Sequence, residues 1–409
     1  MFNGEKVKIV KLFRFYTDKF HLSLVVFAIL IAVLYTYSAE IGMTVIRTDF
    51  FLHAKAAENM MSGGRYPPHF LYQLILIGVH KLLGTSFLNS SLIFTFIIVF
   101  FTFIIATKGV FKNSNTFLKN SFWILIAITF LFLSHPIAFL FPYDKHFYCG
   151  YVVSNVYHNP TILLLKFIAL LHFTLMCNLL ICNQFHRYVN SKIFLLALFT
   201  ALTIIAKPSY IITLLPAIFV LFLIQNISKR WEGYNFFVVI LGIVIPAMMI
   251  LLWQYNFFYG AGSPNSIGFG FLEVYSIKSQ AWTLVPKLLA SMAFPISVIA
   301  VMRLKLINQL EFQLSALMLL FALIYSYVLV DNVNGVGGSG NFWWSAQITN
   351  FIFLFVCIKY YLHFILNIEN EYKIKDIKLK YIPVYIAVVQ FLFGVVWYLI
   401  NVIPSIGGR

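Results

Sequence analysis

Long apolar runs separated by short polar segments dominate this chain. Runs able to cross a membrane fall at about 20–38, 88–106, 120–142, 160–182, 192–206, 208–226, 234–258, 283–302, 311–330, 345–365 and 381–403. A hydrocarbon core of about 30 Å takes roughly 20 helical residues, so the pattern predicts an all-α, polytopic transmembrane bundle of about 11 spans. One further run, 69–84, is short for a span and is broken by His69, Gln73, His80 and Lys81. Whether it crosses sets the orientation of everything after it.

Charge decides the matter. If 69–84 does not cross, the cytoplasmic segments hold 19 of the 29 Lys and Arg residues; if it does, they hold 12. Cytoplasmic loops carry the excess of Lys and Arg, so 69–84 is predicted to lie in, or dip into, the outer interface. Lys6, Lys8, Lys11, Arg14 and Lys19 precede the first run, which carries no small-residue cleavage site. The first helix is therefore expected to be uncleaved, with a cytoplasmic N-terminus. No repeat and no long linker interrupts residues 1–409, which read as one integral domain.

Composition agrees: 61% of residues are hydrophobic, 10% are charged and the mean hydropathy is +0.89, which excludes a soluble domain. The net charge of +16 does not point to nucleic acid. The basic residues sit in clusters between apolar runs, where they meet the anionic headgroups of the lipid bilayer. Cys149, Cys177, Cys182 and Cys357 have no metal-ligand spacing, and only Cys149 is loop-borne, so no loop disulfide is proposed.

The expected topology sends 39–87, 143–160, the Lys207-Pro208 turn, 259–282 and 331–344 to the outer face. Candidate chemistry gathers there. Within 39–87, residues 49–62 read as a helix with Phe50, Ala54, Ala57 and Met61 on one face, and with Asp49 and His53, four apart, on another. The chain turns at Ser62-Gly63-Gly64, passes Arg65 and Pro67-Pro68, and enters the 69–84 helix. Asp49 has two compatible readings, a first-turn acid favoured by the helix dipole behind a Thr48 cap, and a reactive carboxylate at the membrane surface.

Ser154 to Thr161 leads into a helix in which Pro160 suits the first turn, so His158 or Asn159 reads as a cap. Lys166 lies inside the following span, where a cation either snorkels or faces a cavity or partner. Lys207 stands at a break between two spans, either as a solvated turn residue or as a point charge for a phosphate. The segment 331–341 is rich in Gly and Asn but lacks the Lys-Ser/Thr ending of a phosphate loop. Asp331, Trp343 and Trp344, with Glu273 from the 259–282 loop, are candidates for sugar contacts. Paired Trp residues are also ordinary interfacial belt residues. No HExxH, CxxC or GxSxG motif occurs.

Thr48-Asp49-Phe50 through His53, two interfacial helices after the first span and later polar external loops resemble the GT-C class of integral-membrane glycosyltransferases. The resemblance is architectural and covers about the first 210 residues. It implies transfer of a sugar from a polyprenyl-phosphate carrier to an acceptor, with Asp49 as general base and His53 beside it. Lys207, with Arg65, His158 or Lys166, would bind the carrier phosphate. Asn159, Glu273, Asp331, Trp343 and Trp344 would meet the sugar or the acceptor. Chain length and the lack of a soluble domain resemble bacterial enzymes that modify O-antigen or another surface glycan, which implies the bacterial inner membrane with the active site on its external face. No adjacent acidic pair is present, so no metal or other cofactor is expected, and Ser345 after Trp343-Trp344 departs from the WWDYG of oligosaccharyltransferases. A Wzy-type O-antigen polymerase and a transporter or flippase for a lipid-linked glycan are the rival readings.

Overall fold

A computed structural model describes residues 2–44, 49–110, 120–136, 150–182, 189–227, 231, 233–260, 263–278, 280–332, 340–367 and 379–402. The expected Thr48 cap, the loop-borne Cys149 and the glycines between Val333 and Ser339 lie outside those residues. The described chain is an all-α polytopic bundle. Its helices are α1 (Phe2–Thr44), α2 (Asp49–Met61), α3 (Leu71–Leu83), α4 (Phe87–Val110), α5 (Ser121–Leu133), α6 (Pro160–Cys182) and α7 (Val189–Ala206). They continue with α8 (Ile211–Ile227), α9 (Gly233–Tyr259), α10 (Leu284–Met302), α11 (Leu310–Val328), α12 (Trp343–Asn367) and α13 (Ile382–Val402).

Eight of these, in α1, α4, α6 and α9 to α13, are long and apolar enough to cross a membrane. The other three predicted spans correspond to the shorter apolar helices α5, α7 and α8. The predicted number of about 11 therefore resolves into eight full-length helices and three shorter ones, which the apolar runs alone did not separate. α6 and α12 are the most enclosed, with 72% and 67% of their apolar windows buried, whereas α9 and α13 bury 28% and turn most of their surface outward. α6 and α12 form the centre of the bundle, each packing on the other, with α4, α7 and α11 around them.

The doubtful 69–84 run becomes α3, with 13 residues. At 1.5 Å per residue it is about 20 Å long, shorter than the hydrocarbon core, as is α5 with the same 13 residues. Tyr72 near the start of α3 meets Ser91 in the first turns of α4 at 2.6 Å. α2 and α3 pack on each other and on α4 and α6, while α2 also meets α1 and α3 meets α7. In α2 the buried face is Phe50, Ala54, Ala57 and Met60, while Met61 is exposed. Both methionines fit helical spacing from Ala57, and the packing against neighbours selects the one at the three-residue step.

Cross-links gather the five polar segments at one end of the bundle. Two strands, β1 (Ser266–Phe269) and β2 (Leu329–Asn332), pair antiparallel and join the 259–282 and 331–344 segments. Asp331 is buried between Tyr259, whose hydroxyl donates to Oδ1 at 3.0 Å, and Asn341, whose amide donates to Oδ2. Gln254 donates to the carbonyls of Pro68 and Ile204 at 2.6 and 3.2 Å. At the opposite end Lys359 donates to both oxygens of Glu311 at 2.8 Å, and His363 meets the Val110 carbonyl at 2.9 Å.

Two local devices shape the core. Pro246 has no N–H, so the Gly242 carbonyl loses its helical donor, and the backbone widens into a π-turn over Ile240–Val244. Thr200 of α7 takes that carbonyl, its hydroxyl donating at 2.8 Å. His172 Nε2–H in turn donates to Thr200 Oγ1 at 2.9 Å, and the Tyr210 hydroxyl donates to His172 Nδ1 at 3.0 Å. This buried chain of bonds fixes Tyr210, three residues after Lys207. Elsewhere, a Cβ on Gly394 would sit 1.7 Å from the Leu133 carbonyl oxygen, so only glycine lets α13 approach the end of α5 so closely.

Candidate functional site

The segment Gly150–Asn159 is a non-helical strip that runs through the bundle almost fully buried. A buried strip cannot leave its backbone polar groups unpaired, and side chains of the surrounding helices supply the partners. Gln347 accepts from the Val153 N–H at 2.6 Å and donates to the Tyr151 carbonyl at 3.1 Å. Asn350 donates to the Val152 carbonyl at 2.9 Å, and Ser291 accepts from the Val152 N–H at 3.0 Å. Lys166 donates to the Ser154 carbonyl at 2.6 Å, its ammonium 5.3 Å from the Phe351 ring centre and 5.9 Å from that of Tyr35. Lys166 thus faces a partner within the protein, and that partner is the backbone of this strip.

The strip delivers His158 and Asn159 to the start of α6. Asn159 Oδ1 accepts from the Ile162 N–H at 3.1 Å and from the Thr161 hydroxyl at 2.7 Å, so it is the N-cap that Pro160 announced. The same side chain's amide donates to Asp49 Oδ2 at 2.6 Å, across 110 residues of sequence. Capping the helix thereby fixes the direction of the amide that holds the carboxylate, leaving Oδ1 of Asp49 for another partner.

Asp49 is half-buried at the first residue of α2, and its charge acts on His53, His158 and Lys207. Lys207 is 6% exposed, with its ammonium 4.8 Å from the Trp344 ring centre. It is therefore no solvated turn residue. Burial lowers its pKa to about 8, and the Asp49 charge opposes that shift. His53 is pushed down to about 4 by burial and then by Lys207, against the pull of Asp49. His158 is lowered chiefly by burial and packs against Trp344 with ring centres 5.4 Å apart. His69 is pushed down to about 3 by burial, Lys207 and His53. At neutral pH these three imidazoles are uncharged hydrogen-bonding groups around one carboxylate and one ammonium.

The Gln73 side-chain amide hydrogen-bonds His53 Nδ1 at 2.7 Å and ties the ring to α3. Tyr72 and His69 flank the ring, with centroids 5.8 and 6.5 Å away.

Six expected site residues are brought together here: Asp49, His53, His158, Asn159, Lys207 and Trp344. Lys166 supports the strip beneath them. Arg65 is exposed and lines a neighbouring groove. Asp331 and Trp343 serve the ribbon end instead, Trp343 by donating from Nε1 to the Ser326 carbonyl at 2.9 Å. Glu273 is exposed at the start of the short helix Glu273–Lys278, beside Gly270. His69, Gln73 and the fully buried Lys287 were not singled out as candidates from the sequence. Lys287 lies inside a span, the same signal that marked Lys166, with its ammonium 5.3 Å from the Tyr151 ring centre.

Among the described residues no group of three or more His, Cys, Asp or Glu is arranged to hold a metal ion. The arrangement offers one held carboxylate and one cation near the N-terminal ends of the two central helices. Neither a protein-family model nor a curated protein matches the chain.

Proposed function

We propose that this multi-pass membrane protein is a glycosyltransferase that moves a sugar from a polyprenyl-phosphate carrier to a surface-glycan acceptor. The reaction would take place on the external face of the bacterial inner membrane. The observation that carries this reading is the convergence of Asp49, held by Asn159, with Lys207 and His158, from three separate polar segments at one end of the bundle. A sugar phosphate already contains a good leaving group, so the protein needs a base for the acceptor hydroxyl and positive charge for the departing phosphate.

Asp49 Oδ1 takes the proton of the acceptor hydroxyl as its oxygen bonds to the anomeric carbon. The bond from that carbon to the phosphate oxygen breaks, and the polyprenyl phosphate leaves with the electron pair. Lys207, His158 and His53 are the groups that would steady the negative charge. A single displacement inverts the anomeric centre. A lipid-tailed donor also accounts for a polar site built at the end of a membrane bundle.

Asp49→Asn tests the reading. Removing a positioned general base costs about 10²- to 10⁴-fold in rate, so transfer from a polyprenyl-phosphate sugar in membranes should fall by that factor, with protein yield and thermal unfolding unchanged. Transfer at the wild-type rate would remove Asp49 as the base. Loss of lipid-linked glycan transport, in a wild type that never transfers sugar, would point to a flippase.

A further inference from the structure

We propose that the groove beside the Asp49 cluster binds a saccharide several units long and is where the acceptor glycan lies. The proposal rests on the glycosyltransferase reading for the fate of that saccharide, and not for its binding. The groove encloses about 1170 Å³ between the turn after α2 and the end of α9. Small-molecule sites occupy roughly 300–1,000 Å³, so this one has room for more than a single sugar.

Its walls mix two chemistries. Trp253 and Phe257 stack with ring centres 5.9 Å apart, while Tyr66 and Phe70 stand edge-on to one another and Phe70 edge-on to Trp253. Between them stand the exposed amides of Asn59 and Asn256 and the guanidinium of Arg65. A pyranose presents C–H faces that lie on aromatic rings and hydroxyls that pair with amides. A hydrocarbon tail would satisfy the rings and leave the amides and Arg65 with nothing to bond.

The groove also leads to the reactive groups. Pro68 forms part of its wall, and Gln254 ties the Pro68 carbonyl to the Ile204 carbonyl, three residues before Lys207. His69, next to Pro68, lies within the field of Lys207 and His53. A chain of sugars along the aromatic wall would thus lie beside the segment that carries His69, next to the Asp49 cluster.

The test uses the full chain in lipid nanodiscs. The probes are oligosaccharides of graded length, released by mild acid from the native cell's own surface glycan, and undecaprenyl phosphate, each titrated by calorimetry. The saccharides should bind more tightly with length up to several units. Trp253→Ala and Asn256→Leu should each weaken that binding about tenfold or more and leave undecaprenyl phosphate affinity unchanged. Tyr66→Ala, at an exposed turn position, supplies a second aromatic variant should Trp253→Ala fold poorly. Three results overturn the proposal: no fragment binds the wild type, the variants bind fragments as the wild type does, or they lose undecaprenyl phosphate while keeping the saccharide. Full transfer by Asp49→Asn would defeat the catalytic reading alone, since saccharide binding lost in Trp253→Ala would still place a glycan in the groove.

Discussion

Asn159 does two jobs with one amide group, and the two can be separated by substitution. Oδ1 caps α6 and Nδ2 donates to Asp49. Serine caps a helix about as well as asparagine but has no second group to reach the carboxylate. Asn159→Ser should therefore keep the cap and lose only the bond to Asp49, so it should melt above Asn159→Ala. A hydrogen bond to a charged group contributes about 1.5–3 kcal/mol. If that bond holds Asp49 in its reactive position, its loss slows transfer by roughly 10- to 150-fold, at 1.36 kcal/mol per factor of ten. Asn159→Ala loses the cap as well, which adds about 0.5–2 kcal/mol of destabilisation. Asn159→Asp keeps the cap and sets a second carboxylate against Asp49, so it should transfer more slowly than the serine variant. The assay is sugar transfer in membrane vesicles, read beside a melting curve for each variant. A serine variant that is stable and transfers at the wild-type rate would refute the positioning role.

The pH dependence of Lys207 should be opposite for function and for stability. Its ammonium is lost as pH rises through about 8, so the KM for the polyprenyl-phosphate donor should climb above that value, and Lys207→Arg should delay the climb. Between about 8 and the unfolded value of 10.5 the unfolded chain holds the proton that the folded chain has released. The stability contribution of Lys207 consequently rises with pH over that window, measurable as a melting difference between the wild type and Lys207→Arg. At the other end of the bundle, Lys359→Met strands a Glu311 that is 5% exposed and should cost roughly 3–5 kcal/mol, much of it recovered when Glu311→Met is added. Gly394→Ala forces a methyl onto the Leu133 carbonyl and should lower the melting temperature without changing donor affinity.

The fold was largely legible because a bilayer leaves the chain so few options. Backbone groups must be satisfied within each span, so apolar runs become helices. Helix length was less legible: 120–142, 192–206 and 208–226 read as spans equal to the rest, while the helices formed there are shorter. Site residues were visible to the degree that their presence was costly. Asp49, Lys207 and Lys166 stood out because a charge in an apolar chain needs a reason. Gln73 and Asn350 did not, because a lone amide carries no such warning, and their partners lie 20 and 198 residues away.

The same contrast explains how the roles sorted. Lys166, inside a span, and Lys207, at the break between two, were both candidates for binding a phosphate. Lys166 is closed on a backbone carbonyl, while the ammonium of Lys207 has an aromatic face and the field of Asp49. What separates them is the buried strip, which uses one lysine for support so that His158 and Asn159 arrive beside the other. Any perturbation of the strip, such as Gln347→Ala or Asn350→Ala, should therefore disturb Asp49 through Asn159 while touching neither. A variant of this kind that keeps its melting temperature and loses transfer would show that the strip positions the carboxylate, whereas equal losses in both would reduce it to packing.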